Sequence, residues 1–172
     1  FGMPFIDVTE ILQDADFRLF TATRESGERI RGIVVEGGAE MSRRELDELT
    51  SVAKAAGSAG ALWLKRGDDG FTGQFAKALD AGTSERLLAA TKMRAGDLFV
   101  SVIGHFRTAV PSADRARALG GAELALDALR RHLAAQRGLR SPDRHAWLWV
   151  TDFPLYEWDE EGQRVAAAHH PF

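Results

Sequence analysis

The apolar positions of this chain change period several times, and each change marks an element. Ile11 and Leu12 give residues 7–12 one apolar side and predict a short helix that Asp7 is able to cap. Residues 16–21, D-F-R-L-F-T, alternate and predict a strand, followed by a turn over 24–28 around Gly27. Residues 30–35 are rich in β-branched side chains and predict a second strand that ends at Gly37-Gly38. Over 42–57 the period becomes helical: Leu46, Leu49 and Ala53 repeat behind the S-x-x-E capping box of Ser42 and Glu45, and Gly57 closes the helix. A strand is expected over 61–65, a turn over 68–70, a helix over 84–93 and a buried strand over 97–103. After a loop at 109–113, a long helix is expected over 115–137 with Leu119, Leu126, Leu129 and Leu133 inward. Gly120-Gly121 weakens its first part, so it starts either there or after them, and Gly138 ends it.

Elements alternate to about residue 138, which predicts an α+β or α/β layered domain. Ser141-Pro142-Asp143 reads as a break. Beyond it, 146–152 forms an apolar strand pattern, Phe153-Pro154 a corner, and 155–158 with 163–168 a hairpin around the 159–162 turn.

Composition narrows the class. Of 172 residues, 45% are hydrophobic and 27% charged, enough for a sizeable core. With no cysteine, the chain has neither disulfides nor thiolate metal sites. No apolar run reaches the roughly 18–20 residues of a membrane span, and no basic-then-apolar leader pattern opens the sequence. Phe1 at the start and His-His-Pro-Phe at the end lead us to expect a piece of a longer protein.

The net charge of −3 does not advertise nucleic-acid binding, yet residues 115–145 carry seven arginines against three acids, a local +4. Arg130, Arg131, Arg137 and Arg140 are the candidates for RNA phosphates there; composition alone favours an ordinary exposed helix surface. Phosphate-loop, dinucleotide-fold and H-E-x-x-H motifs are absent. Among five histidines only the adjacent pair His169-His170 is unusual. Neighbours on a strand face opposite ways, which makes a shared metal awkward, and leaves a hydrogen-bonding role or a solvated strand end. Asp159-Glu160-Glu161 reads as a solvated turn rather than a cation site, and Asp152 as either a turn cap or a functional carboxylate.

The run Trp147-Leu148-Trp149-Val150-Thr151-Asp152-Phe153-Pro154-Leu155-Tyr156-Glu157, an acidic hairpin, and then His169-His170-Pro171-Phe172 closely resemble bacterial-type aspartyl-tRNA synthetases, a class II family. The 42–49 helix, the 61–65 strand, the 75–79 segment and Ala95-Gly96-Asp97 resemble the insertion domain of that family, a domain shared with the B subunit of the glutamyl-tRNA amidotransferase. The stretch 102–126 departs from the family pattern and is longer.

The resemblance implies an α+β insertion domain over 6–138, helices on a mainly antiparallel sheet. Residues 1–5 would connect to the catalytic domain. Residues 139–172 would return to it, their hairpin belonging to the class II catalytic sheet. It implies a parent enzyme, a cytoplasmic homodimer, that activates aspartate with ATP and Mg²⁺ and transfers it to tRNA(Asp). His169 and His170 would lie beside the aspartate and adenylate pocket. The arginine motifs of class II catalysis are missing from these 172 residues, so the chain alone is expected to be inactive and to hold no cofactor. A different class of reading is a non-enzymatic tRNA-contacting or interaction module of the amidotransferase type; the 147–172 tail argues against it. A small-molecule sensor would need a ligand-binding loop, and none is evident.

Overall fold

The computed structural model describes residues 2–106, 121–141, 143, 145, 147–149, 156–159 and 161–168. The elements are β1 (Ile6–Asp7), α1 (Thr9–Leu12), α2 (Arg18–Ser26), β2 (Arg29–Val35), α3 (Arg43–Ala55), β3 (Leu62–Gly67), β4 (Gly70–Gly73), α4 (Ala81–Thr91), β5 (Leu98–Gly104), α5 (Gly121–Gln136), β6 (Tyr156–Asp159) and β7 (Arg164–Ala167). Five strands make one sheet in the order β1-β2-β5-β3-β4, each pair antiparallel, and β6-β7 is a separate two-stranded sheet. The expected α+β class is therefore observed.

The central strand explains why both faces need cover. Leu98 to Val102 are all buried, so successive side chains enter opposite cores. On one face Ile33, Val35, Leu98, Val100 and Val102 meet Leu46 and Leu49 of α3 and Leu126, Leu129 and Leu133 of α5. On the other, Ile30, Leu64 and Phe99 meet Leu12 of α1, Phe20 of α2 and Leu87 of α4. Gly32 fits this second face because the Phe99 ring covers it: a Cβ there would stand 2.5 Å from the ring and from the Val100 carbonyl oxygen.

The capping box forms as expected, with Ser42 and Glu45 satisfying each other's backbone N–H groups. Helix α4 begins earlier than expected, because Asp80 Oδ1 accepts from the Thr83 N–H at 2.6 Å and moves the cap upstream of Ser84. Strand β4 was not expected; its G-F-T-G sequence has little strand character, and it is held by the two-residue hairpin that pairs Gly67 with Gly70.

Two expected strands are corrected. Residues 16–21 are not extended: α2 runs from Arg18 to Ser26 and ends on Gly27, whose φ is 69°. A strand would have put Phe17, Leu19 and Thr21 on one buried face, yet Leu19 is 48% exposed. The helix instead buries Phe20 and Thr23, three residues apart, and stacks Phe20 edge-on to Phe75 with centroids 5.0 Å apart. Residues 147–149, expected within a strand, lie in no strand among the described residues, with Trp147 95% and Trp149 94% exposed. A strand is stable only against a neighbour that takes its backbone hydrogen bonds, and no described strand of this chain pairs with them. The loop at 109–113, helix residues 115–120, Ala146, Val150 to Leu155 and His169 to Phe172 lie outside the described residues.

Candidate nucleic-acid interface

Helix α5 carries three of the four arginines singled out from the sequence on its last two turns and just past its end, and the fold treats them differently. Asp127 binds two of them: Arg130 at 2.7 Å and Arg131 at 2.9 Å. Arg130 also lies over the Phe5 ring, 4.7 Å from its centroid. Arg130 thus braces α5 against the N-terminal segment, and Asp127 partly compensates the charge of both arginines. Arg137 faces the other way in its chemistry: its guanidinium donates to the Glu36 carbonyl, a neutral acceptor. Arg140 is exposed. Neither Arg137 nor Arg140 has an ion pair with a carboxylate among the described residues.

Arg137 belongs to a corner at one end of the sheet that the sequence did not reveal as a unit. Its centre is the buried Asp97. One carboxylate oxygen accepts the Gly37 N–H at 3.0 Å and the other accepts the Arg94 N–H at 2.8 Å. The Asp97 carbonyl accepts the Arg66 N–H at 2.8 Å, the Gly96 N–H donates to the Arg66 carbonyl at 2.7 Å, and the Ala39 N–H donates to the Gly96 carbonyl at 2.9 Å. Lys65 Nζ donates to the Met41 carbonyl at 2.7 Å. Gly37 has φ 63°, and the Arg137 guanidinium would lie 3.2 Å from a Cβ there, so the corner favours glycine. Beside this corner, between the start of α3 and the end of α5, opens a cleft of about 310 Å³ lined by Met41, Glu45, Leu133, Gln136 and Arg137.

Other charged groups have structural partners. Burial alone would raise the Asp7 carboxyl, but hydrogen bonds from Arg29 Nε at 2.7 Å, Arg31 Nε at 2.8 Å and Thr9 outweigh it and hold Asp7 well below the usual carboxylate range. The N–H groups of Gly162 and Glu161 bind Asp159 and lower its carboxyl, so this acid caps the β6-β7 turn. His132 Nε2 is buried without a hydrogen-bond partner, 3.6 Å from Glu48 across the α3–α5 contact. No helix among the described residues is long and apolar enough to cross a membrane.

A family model described as the GAD domain matches residues 20–113. The whole chain is 37% identical to an aspartate–tRNA ligase of Agathobacter rectalis, 36% to one of Shouchella clausii and 38% to one of Staphylococcus aureus, in each case over 173 residues. The chain spans 27% of the length of these relatives. The matched segment runs from α2 through the central strand β5 and thus contains most of the five-stranded sheet, together with the Asp97 corner; on that match the chain belongs to the GAD domain family.

Proposed function

We propose that this chain is the insertion domain of an aspartate–tRNA ligase together with the segment that rejoins its catalytic domain. The observation that carries the reading is the similarity of the entire chain, tail included, to ligases of which it spans about a quarter. The GAD match alone would equally suit a non-enzymatic module of the tRNA-dependent amidotransferase type, since it ends before the 147–172 tail. Similarity through that tail favours the ligase.

In this reading residues 6–138 are the insertion and 139–172 the return. The exposed Trp147, Leu148 and Trp149 and the β6-β7 hairpin are surfaces that the rest of the longer protein covers, because a soluble domain rarely leaves so much aromatic area in water. The longer protein, a cytoplasmic homodimer, activates aspartate with ATP and Mg²⁺ and transfers it to tRNA(Asp). In this reading the Mg²⁺-ATP site belongs to the remainder of the protein. His169 and His170 contribute to the aspartate pocket, one facing substrate and its neighbour the supporting shell. Arg130, Arg131, Arg137 and Arg140 present charge to tRNA, with Arg137 and Arg140 the more available members. The test is aminoacylation by the full-length protein with labelled aspartate. Charging of tRNA(Asp) supports the reading. A folded protein that charges no tRNA, but supports an amidotransferase reaction on misacylated tRNA, refutes it.

A further inference from the structure

We propose that the cleft between the start of α3 and the end of α5 seats a phosphodiester of the RNA, with Arg44, Lys65, Arg137 and Arg140 as its cations. The inference rests on the tRNA reading above and adds to the arginines of α5 a further place of contact on the domain.

Three observations carry it. The cleft, about 310 Å³, has an apolar floor of Met41 and Leu133 and polar walls of Gln136, Arg137 and Glu45. Two cations are anchored there by neutral groups: Arg137, in the lining, by the Glu36 carbonyl, and Lys65, behind the floor, by the carbonyl of the lining residue Met41. A cation fixed by a carbonyl is positioned without losing its charge, whereas Arg130 and Arg131 share a carboxylate. The one carboxylate in the lining, Glu45, is turned onto the helix cap, where it accepts both the N–H and the hydroxyl of Ser42 at 2.7 Å; it keeps its charge, which the cations around the cleft outnumber. Lys65, hydrogen-bonded to Met41 of the lining, and Arg44, exposed beside Glu45 in the first turn of α3, stand at this wall. Glu36 and Glu40 stand at the same corner but do not line the cleft.

A phosphate is the chemistry that suits this set. Arg137 offers a planar fork, Lys65 a point charge, and Gln136 an amide donor for a non-bridging oxygen. The apolar floor accommodates the adjoining ribose or base. Arg44 and Arg140 extend the positive track outward along the strand. Asp97 does not touch the RNA; it is the positioning residue that keeps the 36–41, 65–67 and 94–97 segments, and with them the two anchored cations, in register.

The experiment measures tRNA(Asp) binding to the full-length protein by filter retention at several salt concentrations. One variant is Arg44→Gln with Arg140→Gln, two exposed residues; a second is Lys65→Gln; a third, as comparison, is Arg18→Gln with Lys77→Gln, two exposed cations on the other face of the sheet. Thermal melting checks that each is folded. The Arg44/Arg140 variant should bind about 10-fold more weakly and lose about 1.5 to 2 from the slope of log K against log salt. Lys65→Gln should lose about 0.8 of that slope, and the comparison variant should change little. Wild-type affinity in both cleft variants, with the wild type binding tRNA normally, overturns the cleft while the tRNA reading stands. Failure of the wild type itself to bind tRNA overturns both.

Discussion

Replacing Asp97 tests how the corner is held. Its carboxylate accepts two backbone N–H groups from segments far apart in the chain, at 3.0 and 2.8 Å, while being 7% exposed. Asparagine keeps the shape but has a single acceptor oxygen, so one N–H would face an NH₂ donor. Losing one charge-assisted bond to a part-buried N–H costs about 1.5–3 kcal/mol; alanine, which loses both, costs about 3–5 kcal/mol. The effect should be local, since the two apolar faces of the sheet do not depend on it. Hydrogen exchange on the full-length protein is the suitable assay. At roughly 1.4 kcal/mol per tenfold, the Gly37 and Arg94 amides should lose about 10- to 100-fold of their protection in Asp97→Asn and more in Asp97→Ala. Amides of α2 and α4, on the far face, should change little. Wild-type protection of 36–41 and 94–97 in both variants would show that the corner does not hang on this carboxylate.

Three further outcomes are expected. Gly32→Ala should destabilise the domain by about 1–3 kcal/mol in urea unfolding, because its Cβ meets the Phe99 ring and a backbone carbonyl in the sheet centre; unchanged stability would mean the strand shifts freely there. Asp7 is held below its unfolded value, so it contributes stability above about pH 4 that is lost as pH falls; Asp7→Asn should therefore flatten the acid limb of a stability–pH profile, and an unchanged limb would place the acid sensitivity elsewhere. Substituting His169 or His170 with alanine in the full-length protein should raise the aspartate KM or lower kcat for one of the two, with ATP binding less affected, and wild-type aspartate kinetics in both would make the pair structural.

Locally encoded features were legible in the sequence. The α3 cap needs only Ser42 and Glu45, three residues apart, and β5 is apolar but for Ser101 because both of its faces are covered. The β6-β7 hairpin followed from its turn residues and flanking pattern. Misreadings arose where distant residues decide. The alternation at 16–21 is compatible with a strand until Phe75, far along the chain, pairs with Phe20 and fixes the helix. Residues 147–149 have strand composition, but pairing requires a partner that composition does not supply. The candidate interface divided in the same way. Counting arginines along α5 treats Arg130, Arg131 and Arg137 alike, whereas the fold pairs the first two with Asp127 and turns the third onto a carbonyl. The Asp97 corner gathers residues 37, 66 and 94, whose proximity only the sheet order creates.

Aspartate-dependent ATP–pyrophosphate exchange, measured side by side on the full-length protein and on this 172-residue chain, tests the central claim most directly. The full-length protein should catalyse exchange with aspartate, and the 172-residue chain should show none above a mock preparation, because the proposed function assigns the groups that stabilise the reacting phosphates to the rest of the protein. Exchange by the isolated chain, or none by a folded full-length protein, would contradict the account.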